Sequence, residues 1–263
     1  MKKIFSGLYI ALILAFIYVP ILVLVVYSFT DSTIIGNWNG FSLKLYARLF
    51  TEERIRTMLL NTIMLALISS VLSTVLGTLG AIGLYYNKGK FGKVVKGASN
   101  ISVINAEIVT AISLALIFSL VSFGKTYFSL IVGHMVLSTP FVVLSVMPKL
   151  KQMDSSLYEA ALDLGASPTT ALFKVVLPEI LPGIFSGFML SVTLSLDDYV
   201  ITAFTKPETF DTISTYVYNA VKNQAKSELP ALRALSAVIF LIIIVVVICM
   251  NLKSKKKSDK GRA

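Results

Sequence analysis

Apolar residues along this 263-residue chain gather into six long runs, at roughly Leu8 to Phe29, Met58 to Tyr86, Ala98 to Phe123, Phe128 to Met147, Gly183 to Thr205 and Ala231 to Leu252. Polar and charged residues fall mainly between them. The hydrocarbon layer of a bilayer is roughly 30 Å thick and asks a helix for about twenty apolar residues. A helix is also the element that satisfies all its backbone groups within a single span. The runs are continuous rather than alternating, which excludes the strands of a membrane barrel. The pattern therefore predicts an all-α, polytopic membrane protein of about six transmembrane helices. The first run follows Lys2 and Lys3, is too long for a signal-peptide core and lacks a small-x-small cleavage site before Asp31, so it reads as a retained helix.

Two segments break the simple picture of spans and connections. In the second run Gly77, Gly80 and Gly83 recur every third residue, a spacing that lets another helix backbone approach closely. Between the fourth and fifth runs lie residues 148–182, too long and too patterned for a mere connection. Ser156 and Glu159 have capping-box spacing and Gly165 offers a permissive stop, so a short helix is expected over about Leu157 to Leu164. Ser167 followed by Pro168 marks a second helix start, and Leu177-Pro178 its expected end.

Composition agrees with the class: 56% of residues are hydrophobic and only 14% are charged. The formal net charge of +10 does not point to nucleic acid, because the basic residues sit in connections rather than on a folded face with interleaved aromatics. They report orientation instead. With the amino terminus inside, two Lys precede the first span, four (Lys88, Lys90, Lys93, Lys96) lie in 87–97, three lie between the fourth and fifth spans and six in the tail, fifteen of the 24 in all. Basic loops stay on the cytoplasmic side, so both termini are expected there. The tail Lys253 to Arg262 reads as a topology anchor near anionic lipid. Cys249 is the only cysteine, so the chain forms no internal disulfide and offers no cysteine-based metal site.

The connecting segment carries a family signal. Glu159-Ala160-Ala161, Gly165 and then Val175-x-Leu177-Pro178 resemble, in residue type and spacing, the EAA loop of ABC importer permeases. Small Ala160 and Ala161 permit close docking, and Glu159 can make a charge-assisted contact. The resemblance extends over nearly the whole chain and is nearest to permeases of spermidine/putrescine importers. It is carried by Tyr18-Val19-Pro20-Ile21, Tyr27-Ser28-Phe29, Leu164-Gly165-Ala166-Ser167 and Leu194-Ser195-Leu196-Asp197-Asp198.

That resemblance implies a MetI-like ABC permease fold, one transmembrane domain over 1–263 with a cytoplasmic coupling loop at 148–182 and a basic tail at 253–263. It further implies that Glu159, Ala160, Ala161, Gly165 and Pro178 serve coupling to an ATPase. The implied partners are two ATPase copies that carry ATP and Mg, a second permease subunit that in polyamine-type relatives is usually a different chain, an extracytoplasmic solute-binding protein, and the lipid of a bacterial cell membrane. The sequence itself has no G-x-x-x-x-G-K-[ST] loop, so ATP driving transport would be bound by another polypeptide and this chain would be no enzyme.

Cargo chemistry is read from the span interiors, which hold Glu107, Asp197 and Asp198 but no Lys or Arg. A carboxylate at mid-membrane costs about 2.5 to 3.5 kcal/mol on insertion scales, which protons, water or a cationic passenger would offset. Ser191, Ser195, Asp198, Thr202 and Thr205 fall at helical steps and predict one polar stripe facing a water-filled path, with Asp198 favoured over Asp197 as the path residue. Glu107, followed by Thr110 and Ser113, would face the same cavity. The alternative role for all three acids is to fix helix packing. His134 reads as a packing or hydrogen-bonding residue and Trp38 as an interface anchor.

Two other function classes compete. An intramembrane serine protease would use Ser186-Gly187 with His134, but G-x-S-G spacing is missing and no second histidine is present. A proton-coupled secondary transporter would use the buried acids and would have no need of the docking loop.

Overall fold

A computed structural model of the chain describes residues 2–32, 36–87, 103–223, 231–238, 240 and 241, with single positions 89, 92, 94 and 97. The described residues are helical, without strands. The helices are α1 (Lys2–Tyr27), α2 (Lys44–Thr51), α3 (Glu53–Tyr86), α4 (Glu107–Leu120), α5 (Tyr127–Gln152), α6 (Ser155–Asp163), α7 (Pro168–Asp197), α8 (Val200–Thr205) and α9 (Ile213–Lys222). From Gly7 onward α1 is long and apolar enough to cross a membrane, as are α3, α5 and α7, while α4 is a shorter apolar helix. Most of the sixth expected span, the basic tail and the four lysines of 87–97 lie outside the described residues. Contacts group the chain into two units, 1–57 with 217–263, and 58–216.

In the first unit, the apolar side chains of α1 from Leu8 to Val19 are exposed, a surface suited to lipid. Its carboxyl end is held by Arg233, a buried residue whose guanidinium donates to the carbonyls of Tyr27 and Ser32. A cation there satisfies acceptors that the last turn of the helix leaves free. Ser28 donates to the carbonyl of Val25 at 2.6 Å and pairs with the Tyr46 hydroxyl, which ties α2 to the end of α1.

The second unit is built on α5. Val142, fully buried near the middle of that helix, lies against Gly77 of α3 and Gly187 of α7. A Cβ on Gly77 would stand 2.6 Å from Val142 Cβ, and one on Gly187 3.1 Å from Val142 Cγ1. One turn further on, Gly183 sits against the Lys149 side chain and the Ser145 carbonyl. Without a hydrophobic driving force between helices in lipid, such close backbone approach is what holds spans together. Of the expected glycine triplet, Gly77 makes the tight contact, Gly80 an ordinary one of 3.7 Å with Val143, and Gly83 none. Ala81, Val143, Val146, Leu150, Val176 and Ile180 complete the core there. Gly77→Val is expected to cost about 1 to 3 kcal/mol by overpacking. A fall in the thermal midpoint of the detergent-solubilised protein, against little change for Gly83→Val, is the check.

Several helix boundaries differ from the sequence reading. The fourth span does not stop before Pro148 but continues to Gln152. The second loop helix does not end at Leu177-Pro178. It runs on as α7, a continuous helix through Pro178 and Pro182 to Asp197. Proline removes one N–H and crowds the carbonyl four residues back, and the chain relieves this with a π turn over Leu172–Val176, where Leu177 N–H bonds the Leu172 carbonyl. The fifth span, expected as one helix to Thr205, instead breaks at Asp198, whose extended backbone (φ −63°, ψ 126°) separates α7 from α8.

Candidate functional site

The segment that carried the family signal folds as a compact capped turn. The amino end of α6 is capped by Asp154 rather than Ser156. Its carboxylate accepts from the Ser156 N–H at 3.0 Å, a bond that holds Asp154 below the usual carboxylate range. A carboxylate at this position suits both the free amides and the helix dipole, so it prevails over a hydroxyl two residues later. At the other end the Gly165 N–H bonds Leu162 O and the Ala166 N–H bonds Ala161 O, with Gly165 at φ +84°. This is a Schellman stop, in the left-handed region that glycine adopts freely. Ser167 then caps α7 through the Thr170 N–H, with Pro168 at the first helical position. Glu159, Ala160, Gly165 and Pro178 are exposed and Ala161 is half-buried, while Leu164 (89% exposed) and Phe173 (66%) add apolar surface beside them. The result is a partly apolar face with the Glu159 carboxylate turned outward, a shape suited to a protein groove.

The three acids come together elsewhere in the second unit. A cavity of about 450 Å3 is lined by Glu107, Thr110, Asp197 and Asp198, with Asn105, Phe141, Thr193 and Tyr199 among its other walls. Glu107 occupies the first turn of α4, where its charge suits the helix amino terminus, rather than the interior of a longer span. Glu107, Asp197 and Thr193 are exposed and Thr110 half-buried, so their polar atoms face the opening. Asn105 donates to the Thr110 hydroxyl at 3.0 Å, which fixes the rim.

Asp198 lies at the same wall but its oxygens are already engaged. Oδ1 accepts from the Ile201 N–H at 3.0 Å, and Oδ2 from the Thr202 N–H at 2.8 Å and the Thr202 hydroxyl at 2.6 Å. Its side chain therefore caps α8, and His134 Nε2 of α5 stands 3.4 Å from Oδ2. His134 is itself fully buried, with Nδ1 2.7 Å from the Ser195 hydroxyl and Nε2 3.0 Å from that of Thr202. Ser195 in turn pairs with Ser69 of α3 at 3.2 Å.

The polar stripe of the fifth span thus faces neighbouring helices rather than water. Ser191, Ser195, Thr202 and Thr205 are all buried. Ser195 and Thr202 pair with His134 of α5, the Thr205 hydroxyl donates to the Ile201 carbonyl of its own helix, and the Ser191 hydroxyl packs without a hydrogen-bond partner among the described residues. Nor do Ser186 and His134 form a nucleophile and base. The Ser186 hydroxyl donates to the Pro182 carbonyl, and the imidazole is committed to Ser195 and Thr202.

A family model described as the inner membrane component of binding-protein-dependent transport systems matches residues 73–254, which include 148–182 and all the lining residues of the cavity. The chain belongs to this family. The permease is 33% identical over 241 residues to the spermidine/putrescine transport system permease protein PotC of Escherichia coli K12, covering 92% of this chain and 91% of that one. It is 33% identical to PotC of Haemophilus influenzae over 87% of this chain and 89% of that one. To the putrescine transport system permease protein PotI of Escherichia coli K12 it is 29% identical, over 84% and 81%.

Among solved structures, the permease matches a chain of a bacterial ABC transporter involved in the import of the acidic polysaccharide alginate. The TM-score is 0.73 at 16% identity, over 97% of this chain and 95% of that one. A chain of the MetNI methionine ABC transporter matches with a TM-score of 0.56 at 18% identity, over 76% and 94%. At such identities the likeness establishes the fold, a helical permease of the MetI-like type. By its family and its long apolar helices, the permease is a multi-pass membrane transport protein.

The sequence singled out three acids that line one cavity, but ranked them by a helical periodicity that the break at Asp198 interrupts. Asp-Asp-Tyr, with a carboxylate three to four residues ahead of Ile201 and Thr202, is a helix-start signal inside an apolar run. The role of His134 had only a weak signal, a lone imidazole in a span opposite a stripe of hydroxyls.

Proposed function

We propose that this permease is the membrane-spanning subunit of an ATP-driven importer that carries small organic polycations of the polyamine class, spermidine and putrescine. The cavity carries this reading: Glu107, Asp197 and Asp198 line one opening, and no Lys or Arg is among its lining residues. Separated ammonium groups would bridge carboxylates spaced around such an opening, and an anion would be repelled from it. The names of the PotC and PotI relatives support the same class of cargo.

Glu159, Ala160, Ala161, Gly165 and Pro178 form, in this reading, the face that docks on an ATPase subunit. ATP and Mg2+ act there, on two copies of a separate chain. The continuity of α7 from Pro168 to Asp197 supports a direct transmission, since a movement of the docking face is carried along one helix to the cavity wall. A second permease subunit, a different chain, completes the passage. An extracytoplasmic binding protein delivers cargo, and both termini face the cytoplasm.

The test is competition in cells that lack their own polyamine transport and express the permease with its partners. Excess unlabelled putrescine is expected to suppress uptake of labelled spermidine, and an anionic solute of equal size to leave it unchanged. Equal suppression by both would remove the cationic reading.

A further inference from the structure

His134 bonds to both halves of the broken fifth span. Its Nδ1 meets Ser195, two residues before the last residue of α7, and its Nε2 meets Thr202, in the first turn of α8. The hydroxyl proton of Thr202 goes to Asp198 Oδ2 at 2.6 Å, so the Thr202 oxygen accepts from His134 and the imidazole carries its proton on Nε2. In the neutral ring Nδ1 is an acceptor and takes the Ser195 proton. One neutral ring thus completes a directed chain from Ser195 through His134 and Thr202 to Asp198, wholly inside the protein.

The same face of α5 grips α8 on either side of this ring. The Ser129 hydroxyl donates to the Thr205 carbonyl at 2.9 Å, and a Cβ on Gly133 would stand 2.7 Å from Ile201 Cγ2. α8 is therefore fixed to α5 at several points, whereas the described side-chain bond from α5 to the end of α7 is the one from His134 to Ser195. Asp197, the last residue of α7, is exposed at the cavity with Glu107.

We propose that His134 is a positioning residue that sets where the Asp197 carboxylate stands in the cavity, by clamping the ends of α7 and α8 to α5. The functional part of this inference rests on the cavity being the cation path; the geometric part does not. Loss of the ring's hydrogen bonds leaves Asp198 capping α8 and Ser195 paired with Ser69, so the fold persists while the end of α7 loses its side-chain bond to α5.

The test uses the assembled transporter in proteoliposomes, with the single cysteine removed by Cys249→Ser and a reporter introduced by Asp197→Cys. The rate of thiol modification by a cationic, membrane-impermeant methanethiosulfonate is read with His134 intact, with His134→Leu and with His134→Gln. His134→Leu is expected to change the rate about tenfold, the scale of losing a coupled buried contact. His134→Gln, which offers an acceptor and a donor at similar reach, is expected to return it most of the way. In the transporter with Asp197 retained, His134→Leu is expected to raise the KM for spermidine more than it lowers kcat.

An unchanged thiol rate in His134→Leu overturns the proposal. So does a Gln variant no different from Leu, which would reduce the ring to filled volume. Failure of the wild-type transporter to carry spermidine would instead sink the polyamine reading, and the thiol rates would still decide the role of His134.

Discussion

Glu159→Lys is expected to lower ATP-dependent uptake at least tenfold while the permease still inserts and assembles with its partner permease. The side chain is exposed on α6, and the helix is held by Asp154 at one end and the Gly165 stop at the other, so its fold does not depend on Glu159. What changes is the sign of an outward charge beside Ala160 and Ala161. Like charges brought together across an interface cost several kcal/mol, ample for a tenfold effect. Uptake and co-purification of the ATPase subunit, measured together, check it. Normal uptake with normal co-purification would remove Glu159 from coupling.

Neutralising the two exposed acids of the cavity, Glu107→Gln with Asp197→Asn, is expected to raise the KM for spermidine about tenfold or more. At an effective dielectric constant near 20, a unit charge pair at 4 Å interacts by roughly 4 kcal/mol, so even a third of one such contact gives a factor of ten. Both side chains face the opening and neither caps a described helix with its carboxylate, so assembly is expected to be retained. Asp198 behaves differently in this account. Its oxygens accept from Ile201 and Thr202, so Asp198→Asn presents an amide to donors and disturbs α8 as well as charge. A double variant with unchanged KM would place the cation path elsewhere.

Much of this was legible in the sequence because lipid makes a strong and simple demand. Runs of twenty apolar residues fix the class, and Gly165 and Ser167-Pro168 fixed their local geometry through backbone chemistry that acts within a few residues. Tertiary context decided what was not legible. Pro178 read as a helix end, and Pro148 and Pro182 as the edges of the connecting segment, yet here the helices run through all three, with a π turn before Pro178. The hydroxyl stripe of the fifth span read as a wet path because polarity alone does not tell water from a neighbouring helix. Its partners, Ser69 and His134, lie more than sixty residues away. Asp197 and Asp198 both line the cavity, and only the break between α7 and α8 shows that Asp197 stays exposed while Asp198 turns its oxygens to α8.

The measurement that bears most directly on the central claim is ATP-driven entry of labelled spermidine into proteoliposomes holding the purified transporter, with its binding protein outside and ATP with Mg2+ supplied on the ATPase side. The account predicts accumulation that requires ATP, is lost with Glu159→Lys and demands much higher substrate with the Glu107 and Asp197 substitutions. An assembled complex that hydrolyses ATP in response to its binding protein yet accumulates no spermidine or putrescine would contradict it.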